Sequence, residues 1–289
     1  MIAVFVPAYD RSPPPPERWP FAAVAIGHDV VFGSRVDDGW FHGLRPVPGG
    51  WEPARIRPRA AYDRFPSQTQ PDVYAALLHG LPGVPILNPP RITALLRDKL
   101  RTQLLLHDLG MPPVATHGFA AVLPGFAKPR FGSFGQGVFR TDVPPSEPGL
   151  VVQRAIDPPD GWAGVALRIL AQRTSAGIVV RTPVARLDRH DPVVNRARGA
   201  AVEPVSSRFP RAEDPARALA RAVLERLPGA IEVGVDAVLD RDHQPHLIEV
   251  NSRPRGRLAA LASLDPAYDQ EHRDACWAPL EAVLSSPAS

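Results

Sequence analysis

The stretch IEVGVDAVLDRDHQPHLIEVN, residues 231–251, carries the reading of the fold. Two apolar runs, Ile231–Leu239 and His246–Val250, flank the polar turn Asp240–Pro245, which predicts a pair of neighbouring strands. Glu249 and Asn251 stand two apart, so they face one side of their strand, and Asp236 can lie opposite them on the other. Two carboxylates and an amide are hard oxygen donors that suit one or two Mg²⁺ ions bridged to phosphates. They suit zinc poorly, since zinc favours thiolate and imidazole. The competing reading is a solvent-facing acidic pair offset by Arg253, Arg255 and Arg257, but Leu247, Ile248 and Val250 around it favour a core edge.

Working outward, Ala212–Leu227 reads as a helix before these strands and Tyr268–Leu284 as the last helix after them. Alternation through Ala166–Ala171, Gly177–Thr182 and Pro183–Leu187 predicts an antiparallel sheet with one covered face. Val114–Phe119, Gly125–Phe131 and Leu150–Ile156 read as strands, with a glycine-rich turn at 132–137. Ile92, Leu95, Leu96, Leu100, Leu104 and Leu105 predict one amphipathic helix from Arg91 to Gly110, and Pro89 and Pro90 before it mark a boundary. Ahead of the boundary, residues 1–7 and Val84–Leu87 read as strands. Ala22–Ile26 and Val30–Phe32 read as short β-like runs, and Ala60–Asp63 and Asp72–Leu81 as helix-forming stretches, together a small α/β unit.

A second chemical segment is KPRFGSFGQG, residues 128–137. Three glycines within six residues after a strand that carries a lysine make a loop whose backbone N–H groups can approach phosphate oxygens, with an ammonium at its base. A glycine-rich hairpin beside a chance lysine would look the same. The basic composition adds an independent argument: of 33 lysines and arginines, Lys99 and Lys128 are the two lysines. In a chain that uses arginine everywhere else, a surviving lysine marks a position where a compact ammonium is needed and a planar guanidinium does not serve.

Composition bounds the rest. With 44% apolar residues and a net charge of +3 the chain is a globular protein whose charges are interspersed, without the basic block of a nucleic-acid arm. One cysteine, Cys276, excludes an internal disulfide and a thiolate metal cluster. No apolar run is long enough to span a bilayer, and Met1–Pro7 resembles no leader, so neither nucleic acid nor membrane is an expected partner and the cytoplasm is the expected compartment.

The ordered set Asp98-Lys99, Met111–Thr116, Lys128-Pro with Gly132, Ser133, Gly135 and Gly137, Val152-Gln153 with Ile156, Leu167-Arg168, Arg186, Asn195, Gly199, Gly234–Asp236 and Glu249–Pro254 resembles the ATP-grasp superfamily. Its glutamate-ligase type and its spore-coat-associated branch, whose Tyr-Asp-Arg-Phe-Pro element is similar to Tyr62–Pro66, resemble it most. The resemblance implies an α/β plus α+β fold: an N-terminal α/β domain over residues 1–88, a shortened nucleotide-binding subdomain over 89–157, and a C-terminal subdomain with the metal site over 158–289. It implies that Lys99 and Lys128 contact ATP phosphates and that Gly132, Ser133, Gly135 and Gly137 form the loop over them. Gln153 through Ile156 would meet adenine, and Asp236, Glu249 and Asn251 would hold Mg²⁺ or Mn²⁺. Arg168, Arg186 and Asn195 would line the reacting centre. The activity implied is ATP-dependent joining of a small-molecule or peptide carboxylate to an amine through an acylphosphate, with ATP and Mg²⁺ as cofactors and the oligomeric state open. Kinase-like phosphoryl transfer, or nucleotide binding without turnover, are the alternatives. Two departures bear on substrate: Ala166 stands where the resembled branches carry aspartate, and Ala200 where they carry glycine.

Overall fold

The computed structural model describes residues 1–7, 13–67, 69–111, 123–132, 136–194, 199–254 and 258–285. The expected strand Val114–Phe119, most of Met111–Thr116, and Ser133, Gly135, Asn195, Arg255 and Arg257 lie outside the described residues. The chain divides into two compact units, one of Met1–Pro90, Arg173–Gly177 and the C-terminal segment from Asp269, the other of Arg91–Gln172 and Ile178–Tyr268.

The first unit comprises β1 (Ile2–Phe5), α1 (Pro20–Ala23), β2 (Val30–Asp37), β3 (Trp40–Val47), β4 (Gly50–Ile56), β5 (Ala60–Asp63), α2 (Pro71–Gly80) and β6 (Ile86–Leu87). Its sheet runs β4-β3-β2-β1-β5-β6, parallel from β2 to β6 and antiparallel in the β2–β4 meander. The apolar run of β1 is buried on both faces, as parallel strands require: Ile2 and Val4 join one core with Phe21, and Ala3 and Phe5 join the other with Leu77. Asp38 and Gly39, at φ +47° and +70°, make the two-residue left-handed turn that aligns β2 with β3. Two expectations differ here. Ala22–Ile26 is not a β-like run, because Pro20 opens a short helix that includes Ala22. Ala60–Asp63 is a buried strand in register with β1, since four residues are too few to display a helical period.

The second unit holds α3 (Pro90–Arg97), α4 (Lys99–Asp108), β7 (Gly125–Pro129), β8 (Phe139–Thr141) and β9 (Leu150–Arg154), whose strands form a sheet in the order β8-β7-β9. Then follow β10 (Gly164–Thr174), β11 (Gly177–Val180), β12 (Val184–Asp188), β13 (Ala201–Pro204), α5 (Val205–Arg208), α6 (Pro210–Glu225), β14 (Glu232–Leu239), β15 (Pro245–Asn251) and α7 (Ala259–Ala262). The larger sheet runs β13-β12-β10-β14-β15, with β11 beside β10. Helix α6 buries Ala212, Ala216, Ala220, Val223 and Leu224 in the core beneath β10 and β14. Those positions recur at one-turn spacing, and the alanines permit close approach to the sheet. The single helix expected over Arg91–Gly110 is two, because Asp98 adopts an extended conformation and caps α4 by accepting the Arg101 amide at 3.2 Å.

The last helix, α8 (Asp269–Ser285), follows the second unit in sequence but belongs to the first. Cys276 and Leu280 are buried in one core with Ile2, Val4 and Tyr62, an apolar face that β1 and β5 leave for a helix to cover. No helix among the described residues is long and apolar enough to cross a membrane. Replacing Leu280, fully buried in that core, by Ala is expected to cost about 2–5 kcal/mol of stability in urea unfolding. A loss within the range of a surface substitution would show that α8 is not part of the first unit's core.

Candidate functional site

The β14–β15 register brings the expected metal donors together. Asp236 stands directly opposite Glu249, and Gly234 opposite Asn251. On the other side of β14, Arg168 of β10 stands opposite Asp236, so Arg168, Asp236 and Glu249 form one row across three strands. Arg168 Nε lies 2.7 Å from Asp236 Oδ1 as an ion pair, and Arg186, on β12, approaches the same oxygen at 4.0 Å. Asn251 donates its side-chain N–H to Asp236 Oδ2 at 2.8 Å, which leaves its amide oxygen for another partner. Gly234 makes room for this row: a Cβ there would lie 2.9 Å from Pro254 and 3.1 Å from the Arg168 guanidinium.

Between Asp236 and Ala237 the register slips, because Glu249 and Leu247 face consecutive residues of β14 and Ile248 is the extra residue of a β-bulge. Three side chains converge on its carbonyl oxygen: Gln103 Nε2 at 2.7 Å, Gln153 Nε2 at 3.1 Å and Lys128 Nζ at 3.4 Å. They come from α4, β9 and β7. Gln153 therefore turns its side chain to Ile248 while its backbone pairs with Phe126, and Ile156 lies half-buried beyond the end of β9.

Lys99 and Lys128 are both buried, each 7% exposed. Lys99 opens α4, and its ammonium donates to the Gly132 carbonyl at 2.7 Å. The entry of the glycine loop is also held by Asp98, whose two oxygens accept the Arg130 fork at 2.8 and 2.6 Å, while the Lys99 amide donates to the Arg130 carbonyl at 3.2 Å. The Arg130 hydrogen bonds hold the Asp98 carboxyl below its usual range. Sequence reasoning passed over Asp98 as a capping residue, Arg130 and Gln103. The signal for Gln103 was present: Lys99, Thr102, Gln103 and Leu106 fall on one face of α4, and three of the four are polar yet buried.

Electrostatics bind the set together. Burial drives the Lys128 ammonium from 10.5 down to about 8, with Lys99 acting in the same direction and Glu249 and Asp236 opposing it. Packing against protein raises the Glu249 carboxyl above its ordinary value, Asp236 adds to the rise, and Lys99, Lys128 and Arg168 counter it. Among the described residues no three His, Cys, Asp or Glu side chains gather as a metal cage, so the candidate donors are the two carboxylates and the Asn251 amide oxygen. This all-oxygen set has the donor chemistry that suits a hard divalent cation.

No family model matches the chain, and no curated protein sequence does. Solved structures do match. A D-cycloserine synthetase is 16% identical with a TM-score of 0.63, covering 98% of this chain and all of the other. The N5-carboxyaminoimidazole synthase from Aspergillus clavatus, solved with ADP and 5-aminoimidazole ribonucleotide, is 14% identical with a TM-score of 0.60 over 99% of this chain and 77% of the other. An ATP-grasp superfamily protein from Archaeoglobus fulgidus is 15% identical with a TM-score of 0.56 over 98% of this chain and 88% of the other. The chain has the ATP-grasp fold.

Within that fold the residues brought together are Lys99, Lys128, Gln153, Arg168, Arg186, Asp236, Glu249 and Asn251. Gly137 lies at the far end of the glycine loop at φ +66°, where glycine is favoured. The Lys128 ammonium of the ATP-grasp fold has a consequence for stability. Between pH 8 and 10.5 the unfolded chain holds that proton and the folded chain does not, so raising pH through this window stabilises the fold. Lys128→Met is expected to be the more stable chain at pH 7, by roughly 3 kcal/mol, and to lose that advantage as pH approaches 10.5. Urea unfolding across pH checks it, and a pH-independent difference would refute the burial argument.

Proposed function

We propose that the protein is an ATP-dependent carboxylate–amine ligase that forms an acylphosphate on a small-molecule or peptide carboxylate. The observation that carries this reading is the convergence of two buried lysines on the sheet face that bears Asp236, Glu249 and two arginines. Phosphoryl transfer asks a protein for positioning and charge neutralisation more than for covalent help, and these residue types supply both. The Aspergillus clavatus neighbour supports it further, since that structure holds ADP together with an amine, 5-aminoimidazole ribonucleotide.

In this reading Lys99 and Lys128 hold ATP phosphates, and Gly132, Ser133, Gly135 and Gly137 close over them. The backbone from Gln153 to Ile156 meets adenine. Asp236, Glu249 and Asn251 hold Mg²⁺, which supplies neutralisation of phosphate charge. Arg168, Arg186 and Asn195 orient the acceptor carboxylate. One carboxylate oxygen bonds the γ-phosphorus as ADP departs, and the amine nitrogen then bonds the acyl carbon, loses a proton and displaces phosphate. Residues 89–157 serve as the nucleotide-gripping part and 158–268 as the metal-bearing part, with 1–88 and α8 forming a separate unit.

The test is Mg²⁺-dependent ADP release with panels of acids and amines. Release that needs both an acid and an amine supports ligation, whereas release with an acid or alcohol alone makes the protein a phosphotransferase. No binding of ATP at millimolar nucleotide and Mg²⁺ overturns both. Glu249→Gln is expected to lower turnover by about 10²-fold or more, the scale on which one stabilising group acts in a transition state, with urea stability retained. Nucleotide affinity is expected to fall above about pH 8, because the free protein's Lys128 then lacks the proton that an anion requires.

A further inference from the structure

We propose that Gln103 is a positioning residue for Glu249, acting through the carbonyl of Ile248. The inference rests on the reading of Glu249 as a metal ligand and deepens it. Among the described residues β15 is the outer strand of its sheet, and one side of its backbone has no neighbouring strand there. The bulge at Ile248 adds a further carbonyl that β14 cannot satisfy, one peptide before the carboxylate that must be aimed. Gln103 donates to that oxygen at 2.7 Å, the shortest of the three contacts made there, and holds in place the peptide that joins Ile248 to Glu249.

A carbonyl oxygen has two lone pairs. The amides of Gln103 and Gln153 fill them at 2.7 and 3.1 Å, and Lys128, at 3.4 Å, is left with its protons for another acceptor. Without Gln103, a vacant lone pair would compete for the Lys128 ammonium, and the Glu249 peptide would lose its shortest tether. Gln103 is 1% exposed, and its own carbonyl oxygen is buried with no hydrogen-bond partner. A methionine would fill the same space without the unpaired amide oxygen and would leave the Ile248 carbonyl to Gln153 and Lys128, so the amide's hydrogen bond is offset by its own buried oxygen. What the amide adds is the N–H directed at Ile248.

The experiment compares Gln103→Met with the unmodified chain and with Thr102→Val, a neighbour on α4 whose change removes the Thr102 hydroxyl bond to the Leu95 carbonyl of α3. Mn²⁺ binding in the presence of saturating ADP is read by paramagnetic resonance, and stability by urea unfolding. Gln103→Met is expected to bind Mn²⁺ about 10- to 100-fold more weakly, as loss of a residue that orients a metal ligand does, while unfolding at the same or higher urea. Thr102→Val is expected to lose stability and keep its Mn²⁺ affinity. Unchanged Mn²⁺ affinity in Gln103→Met overturns the proposal, as does an equal loss in Thr102→Val, which would trace the effect to helix packing. A Gln103→Met chain that fails to fold overturns it as well, since the amide would then be structural. If the unmodified chain binds neither ADP nor Mn²⁺, the nucleotide reading falls and takes this inference with it. If it binds both and Gln103→Met binds them equally, only the inference falls.

Discussion

Two carboxylates set opposite one another on neighbouring strands repel, and much of the second unit answers that one constraint. Asp236 and Glu249 occupy facing positions of β14 and β15. Like charges in that relation destabilise a sheet unless something offsets them. Arg168 takes one oxygen of Asp236 and Asn251 the other, while Lys99 and Lys128 act on Glu249 from α4 and β7. With Arg186 the cations outnumber the carboxylates, and each cation is itself withdrawn from water. The arrangement that makes the carboxylate pair tolerable therefore leaves an excess of positive charge, which, on the proposed function, a polyphosphate would neutralise.

The same constraint explains why the smaller sheet and α4 are tied to the edge of the larger one. A bulge re-aims Glu249 but frees a carbonyl, and buried carbonyls must be paired. Side chains from α4, β7 and β9 converge there, so the edge of the large sheet is closed by polar contacts where another strand might have been. Asp98 has the corresponding part at the start of α4. It caps the helix, holds the Arg130 fork, and so sets Lys99 beside the glycine loop.

How much of this was legible follows from how local each determinant is. The β14–β15 pair, α6 and the β10–β12 strands were readable because period and turn chemistry lie within a dozen neighbouring residues. Asp38-Gly39 carries the turn chemistry of β2–β3, yet neither that turn nor β3 and β4 was read from the sequence, because Gly43, Pro46 and Pro53 interrupt the alternation. The break at Asp98 was not legible from leucine spacing, which runs unbroken across the Asp98 cap, and Arg130, which fixes the Asp98 carboxylate, lies 32 residues away. The bulge at Ile248 was hidden for a similar reason: a strand's pattern gives which residues alternate, whereas a slip of one position depends on the partner strand. The ATP-grasp likeness was legible only as an ordered set of short motifs, none of them specific alone. The two lysines were legible by composition, and the structure buries both.

The departures from good packing are not spread evenly. Lys128 carries an ammonium that burial drives down to about 8, Glu249 a carboxyl raised above its usual range, and Gln103 an unpaired carbonyl oxygen. All three meet around one bulged peptide. Elsewhere in the unit several more exposed charges are paired: Arg130 by Asp98, Arg217 by Glu213, Arg208 by Glu203. A chain selected for stability alone would have relieved the first cluster as it relieved the others, for an apolar residue of similar volume would fit Lys128 or Gln103. Where local rules are broken at several groups around one peptide, the compensating gain has to be one the isolated fold does not display. A ligand whose charge pairs with Lys128 and whose metal pairs with Glu249 would turn both costs into binding energy, which is the physical reason for locating function at this strand edge.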